Sequence, residues 1–224
     1  MRRVTVTKRV GEQRVKLRVG TRDWATWREV TRHGYHRPPE QLQDVEYILD
    51  LGSNVGLTVV DLAHQYPAAL IAAVEMDREN YEMSLVNTAD ISDRVRLHNA
   101  AIGPVAGTLR YTKRGGETWG YSAGDDGDTE VEAMTIDNAI EVCRLPRVDY
   151  LKMDLEGMEE SVLGDPAGGW PLVTRCLYVE LHGAYDVSHA QRDLQRLGFE
   201  ETWPSSKHGT ALYALRDANA WRIG

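Results

Sequence analysis

The stretch Tyr47-Ile48-Leu49-Asp50-Leu51-Gly52-Ser53-Asn54-Val55-Gly56 restricts the fold more than any other part of the chain. An apolar run ends in Asp50, two glycines bracket a short polar turn, and a helical pattern follows. This predicts a strand, a tight turn and a helix N-terminus. Glycine supplies turn dihedrals that a Cβ forbids and lets backbone amides approach a ligand closely. Free amides and the macrodipole at a helix N-terminus favour negative charge, so a carboxylate or a phosphate suits the turn. A dinucleotide fingerprint needs Gly-x-Gly-x-x-Gly here. This chain has two glycines and an acid before the first.

The length of 224 residues allows one domain with a sizeable core. A net charge of -8 and a pI near 5.4 argue against a general nucleic-acid binder, while leaving room for a local basic groove. No apolar run is long enough to span a bilayer, and the basic start lacks the apolar stretch of a signal peptide. The expected location is cytoplasmic, with no membrane partner. Cys143 and Cys176 show neither a CxxC pair nor zinc spacing and read as buried thiols.

In chain order, Val4 and Val6, then Val15, Leu17 and Val19, alternate on either side of Gly11 and predict a β-hairpin. Trp24, Trp27, Val30 and His33 recur at three-residue steps and predict a short helix, which Pro38 and Pro39 end. Residues 1–44 are therefore expected to form an appendage packed on a main domain of residues 45–224. Tyr35 and His36, just before the prolines, either touch a ligand or pack the appendage down. Leu70 to Val74 reads as a second buried strand that ends in Glu75. An acid about twenty residues beyond the glycine turn is where doubly wound folds hold ribose hydroxyls. The alternative is a place beside a helix N-cap, which Asp77 fills equally well. Val95 to Gly103 reads as a third strand running into a loop. Residues 103–135 have weak periodicity, with strand patterns at 108–111 and 131–135 around a long loop that carries Trp119 and Tyr121.

A second charged strand end is Val148-Asp149-Tyr150-Leu151-Lys152-Met153-Asp154-Leu155-Glu156-Gly157-Met158-Glu159. Lys152, Asp154 and Glu156 alternate and share one side of an extended segment. Cys176 to Gly183 repeats the pattern, with Glu180 and His182 on one side. Asp154 and Glu180 should end neighbouring strands. With His182 they suit either a hard divalent cation such as Mg²⁺ or a His–carboxylate pair without metal. A helix over 189–197 and a final strand–turn–strand complete the expected fold. It is α/β, a doubly wound, mostly parallel seven-stranded sheet with an antiparallel last strand, plus the N-terminal hairpin and short helix.

Asp-Leu-Gly-Ser-Asn-Val-Gly resembles motif I of class I S-adenosylmethionine-dependent methyltransferases. With Leu-Lys-Met-Asp-Leu-Glu-Gly-Met-Glu about a hundred residues later, the chain resembles the FkbM family of O-methyltransferases over roughly residues 45–185. The resemblance implies S-adenosylmethionine as cofactor, with Asp50, Gly52, Asn54 and Gly56 along its methionine part. It places Glu75 at the ribose, Asn99, Ala100 and Ala101 at the adenine, Met76 and Asp154 among the cofactor-binding residues, and Asp154 and Glu156 facing the acceptor. Asp77 departs from the proline that many relatives carry there. The implied reaction is methyl transfer to a hydroxyl of a sugar or a polyketide. The compact chain looks most like actinobacterial sugar methyltransferases, including those of methylmannose polysaccharide synthesis. His182, Glu156 and Asp154 are the catalytic candidates, with His182 the first choice of base because its ordinary pKa lies near neutrality. Tyr35, His36, Trp119, Tyr121 and Tyr185 are the candidate sugar surface. A homodimer is expected by resemblance alone. A nicotinamide-dependent oxidoreductase and a non-catalytic binding module are the rival readings.

Overall fold

The computed structural model describes residues 4–113, 121–123, 127–164 and 168–216, and for 113 and 121–123 the backbone only. Seven strands form the main sheet: β3 (Tyr47–Leu51), β4 (Leu70–Val74), β5 (Val95–His98), β10 (Val148–Met153), β11 (Thr174–Glu180), β12 (Glu201–Pro204) and β13 (Ala211–Leu215). Their order is β12-β13-β11-β10-β3-β4-β5. The central strands pair in parallel, and β13 runs antiparallel to both its neighbours. Parallel strands covered on both faces need near-continuous apolar runs, and β3, β4 and β10 supply them. Leu49, Leu151 and Leu177 pack on one face, and Ile48, Tyr150 and Tyr178 on the other, as period-two alternation requires.

The helices that cover the sheet have identifiable starts. Gly56, at φ +77°, precedes α2 (Leu57–Gln65). The Asp77 carboxylate accepts from the Asn80 amide at the head of α3 (Arg78–Asn87). Thr135 and Asn138 form a capping box on α4 (Ile136–Val142). α5 spans Glu159–Gly164, and Asp186 caps α6 (Val187–Arg196). Strand order reverses between β3 and β10, so the carboxyl ends of these strands flank a switch point, where such sheets bind ligands.

The N-terminal hairpin pairs β1 (Thr5–Val10) with β2 (Gln13–Arg18). Val10, Val15 and Leu17 are buried against Val55, Leu57 and Val60. Val4, Val6 and Val19, by contrast, are 72, 41 and 54 % exposed. β2 is the strand that meets α3, exchanging hydrogen bonds between the Lys16 backbone and the Asn87 side chain (2.7 and 3.2 Å), so β1 lies outermost. Helix α1 (Asp23–Arg28) widens into a π-type turn over Glu29–His33 and stops at Gly34, φ +53°.

A second sheet was not expected from the sequence. β6 (Ala101–Ile102), β7 (Gly107–Lys113), β8 (Tyr121–Ala123) and β9 (Thr129–Met134) pair in the order β6-β9-β7-β8. Only a few of its described side chains, among them Tyr111, Ala133 and Met134, are buried, so the strand patterns at 108–111 and 131–135 did not disclose a sheet. Among the described residues no helix is long and apolar enough to cross a membrane.

Candidate active site

The glycine turn after β3 folds onto β4. Gly52 and Ser53 both donate their amides to the Val74 carbonyl (2.9 and 3.1 Å). Gly52 has φ +79°, and a Cβ there would lie 1.9 Å from the Asp154 carbonyl oxygen, so the close approach of β3 to β10 requires glycine. At Gly56 a Cβ would come 2.5 Å from Ser84 Oγ. The Asn54 amide donates to Glu75 Oε2 and the Asp77 amide to Glu75 Oε1, each at 2.8 Å. Burial pushes the Glu75 carboxyl up to about 7 against these two amide donors. Asn99 Nδ2 donates to the carbonyls of Glu75 and Met76 (2.8 and 3.0 Å), so its amide fixes this strand end. Ala100 and Ala101 are buried beside it, and Met76 is half-buried.

Asp50 and Lys152 face each other in register on β3 and β10. Lys152 Nζ lies 3.2 Å from Asp50 Oδ1 and 3.6 Å from Asp154 Oδ2, and donates to the Gly52 carbonyl at 2.8 Å. Burial disfavours the ammonium, but Asp50 and Asp154 outweigh it and hold the Lys152 pKa above its ordinary value. Asp50 also accepts from Thr58 Oγ1 and is fully buried. Its carboxylate therefore ties the turn to β10 and to the first turn of α2.

Across the sheet, Asp154, Glu156, Glu159, Glu180 and His182 converge. Glu156 has φ +53°, a left-handed backbone at a non-glycine residue that directs its side chain to the cluster. His182 Nδ1 lies 2.9 Å from Glu159 Oε1, and Nε2 lies 3.8 Å from carboxylate oxygens of Asp154, Glu156 and Glu180. Buried Glu159 also accepts from the Leu155 and Gly157 amides (2.8 and 3.0 Å). Burial alone would lower the His182 pKa, but the Glu159 hydrogen bond and the surrounding carboxylates raise it to about 9. The imidazole is thus protonated at neutral pH. Burial, then the Asp154 charge, pushes Glu180 up to about 7. Ligand atoms of Asp154, Glu180 and His182 all lie within 4.8 Å of one another.

The expected sugar surface is only partly assembled. Tyr35 is half-buried and stands beside the site, its ring 6.3 Å from that of Tyr178. His36 does not: its ring is fully buried, with Nε2 3.0 Å from Asp61 of α2. Tyr185 is 5 % exposed and donates to Asp193 at 2.8 Å, so it packs the core. Trp119 and the Tyr121 side chain lie outside the described residues. Glu159, Tyr178 and His208 escaped the sequence reading. Glu159 stands in the charged turn, and Tyr178 precedes Glu180 by two on the same face. His208, a turn residue, carried no periodic signal.

Strand order, the glycine turn at the switch point and the acid at the end of β4 define a Rossmann-like methyltransferase architecture. Residues 50–201 match the Methyltransferase FkbM domain, and the chain belongs to that family. No curated protein matches it. Among solved structures the chain is similar to the N-terminal domain of EvdMO1 with SAH bound, at 15 % identity over 80 % of this chain and 77 % of that one, TM-score 0.49. It is similar to precorrin-6y C5,15-methyltransferase from Geobacter metallireducens GS-15, at 13 % identity over 83 % and 85 %, TM-score 0.49. It is also similar to the N-terminal domain of human METTL16 in complex with SAH, at 12 % identity over 86 % and 68 %, TM-score 0.45.

Proposed function

We propose that the protein transfers the methyl group of S-adenosylmethionine to a hydroxyl of a sugar. The carrying observation is the layout at the switch point, with Glu75 and the glycine turn toward β4 and the acid cluster across β10 and β11. The residues fit the cofactor. Each Glu75 oxygen accepts one amide and keeps a lone pair for a ribose hydroxyl. Ser53 Oγ is buried in the turn without a hydrogen-bond partner, free to meet a polar ligand group. When bound, S-adenosylmethionine supplies a methyl group that its sulfonium already makes electrophilic.

The chain's own task is to align a hydroxyl and receive its proton. Alignment supplies a large share of barrier reduction, about 7–11 kcal/mol in favourable cases. The proton on His182 removes it from the base role at neutral pH. Glu180, at about 7, takes that role, and Asp154 and Glu156 hold the acceptor beside it. His182 then offsets one of the negative charges around it. A second reading has a divalent cation on Asp154, Glu180 and His182, displacing the imidazolium proton and acidifying the hydroxyl. A mannoside precursor of a methylated polysaccharide is the acceptor that the family resemblance favours.

Incubation with S-adenosylmethionine and methyl α-mannoside, read by mass spectrometry with and without EDTA, tests these points. The expected product carries one added methyl group and forms in EDTA. Loss of activity in EDTA, restored by Mg²⁺, favours the cation reading. No transfer to any sugar overturns the acceptor class. A protein that binds S-adenosylhomocysteine and methylates no hydroxyl compound is a binding module.

A further inference from the structure

Three rings from separate parts of the chain stand beside the acid cluster. Tyr35 follows the π-type turn, Tyr178 lies in β11, and His208 lies between β12 and β13. The Tyr35 ring centroid is 6.3 Å from that of Tyr178 and 5.8 Å from that of His208. Tyr35 is anchored from behind. Tyr213 donates its hydroxyl to the carbonyls of Tyr35 and Arg37 (3.1 and 2.9 Å), and Lys207 Nζ donates to the Gly34 carbonyl at 3.3 Å. His208 Nε2 lies 3.5 Å from Glu180 Oε1. Tyr178 is fully buried, and its hydroxyl has no hydrogen-bond partner.

We propose that Tyr35 and His208 form the acceptor-binding wall, with the buried Tyr178 hydroxyl behind them, and that with Asp154 and Glu180 they select an uncharged polyhydroxyl group over phosphorylated or carboxylated ones. This rests on the methyl-transfer reading above. The rings of half-buried Tyr35 and His208 suit the C–H surface of a saturated ring, and the carboxylates accept from its hydroxyls. The Tyr178 hydroxyl, idle within the protein, donates to an oxygen of the ligand or to a water beside it. An anionic acceptor meets Asp154, Glu156, Glu159 and Glu180. Among the described residues, Lys152 is committed to Asp50 and the Gly52 carbonyl, and His182 to Glu159. Like charges about 4 Å apart near a protein surface repel strongly enough to lower kcat/KM by about 100-fold or more.

The test uses the full chain with S-adenosylmethionine and three probes: methyl α-mannoside, mannose 6-phosphate and methyl glucuronide. The neutral glycoside should exceed both anions by about 100-fold in kcat/KM. Tyr178→Phe should raise its KM about three- to tenfold, with kcat and S-adenosylhomocysteine affinity unchanged. Because the deleted hydroxyl has no partner, the melting temperature should hold or rise. His208→Ala should raise KM likewise, and His208→Gln should recover part of it. An unchanged KM in both Tyr178→Phe and His208→Ala, or an anionic probe used as well as the neutral one, overturns the proposal. Binding of S-adenosylhomocysteine without turnover of any probe overturns it as well and leaves the cofactor reading standing. Failure to bind S-adenosylhomocysteine overturns the reading beneath it.

Discussion

Glu75 links burial to ligand binding through a single proton. Its folded pKa of about 7 lies above the ordinary 4.5, so the folded state holds a proton that the unfolded chain has released between those values. Stability therefore declines as pH rises through that window. Ribose hydroxyls donate to the ionised form, so binding pulls the proton off. S-adenosylhomocysteine affinity should weaken as pH falls from 8 to 6, with proton release on binding, and Glu75→Gln should bind weakly at every pH. Calorimetry in buffers of different ionisation enthalpy measures this; pH-independent affinity over that range contradicts it. Asp61 shows the opposite sign. Burial opposes its charge, but hydrogen bonds from His36 and Arg37 win and hold it at about 2. Its contribution is present above the unfolded value and disappears as pH falls toward 2. Asp61→Ala leaves a buried imidazole without its acceptor and should cost about 3 kcal/mol in urea unfolding. A loss under about 1 kcal/mol would remove the tie from the account.

Among the elements, the turn between β3 and α2 is the least tolerant of change. Gly52→Ala forces a Cβ against the Asp154 backbone at a left-handed φ, and the Asp154 carbonyl cannot move without pulling β10 away from β3. We expect a loss of about 3 kcal/mol or more and no measurable S-adenosylhomocysteine binding. A near-normal melting curve would show that β3 and β10 approach less closely than described. This turn was legible in the sequence because glycine and strand-end acids are local signals, as were β4, β10 and β11. The strand patterns of β7 and β9 were legible too, but their pairing with β6 and β8 into a second sheet was not. Its β6–β9 pairing joins Ala101 to Ala133 across a long insertion, and few of its side chains are buried. Tyr185 misled for a different reason, while for His36 the packing alternative holds. Polar aromatic groups suggest an open surface, yet Asp193 and Asp61 satisfy them inside the fold.

At the scale of the whole molecule, the site is an edge where one sheet gathers groups that are far apart in the chain. Glu75 arrives from β4, Asp154 from β10, Glu180 from β11, Tyr35 from the N-terminal segment and His208 from the last hairpin. The sequence shows which strand ends carry charge. It does not show that His182 is held as a cation by Glu159, since that follows from three-dimensional proximity. The central claim is that this edge receives S-adenosylmethionine. Thermal unfolding with excess S-adenosylhomocysteine, and separately with NAD, tests it most directly. At about a hundred times its dissociation constant, a ligand that binds only the folded state adds roughly 2.7 kcal/mol of stability. A clear upward shift with S-adenosylhomocysteine and none with NAD is the predicted result. No shift with S-adenosylhomocysteine, or a shift with NAD alone, would contradict it.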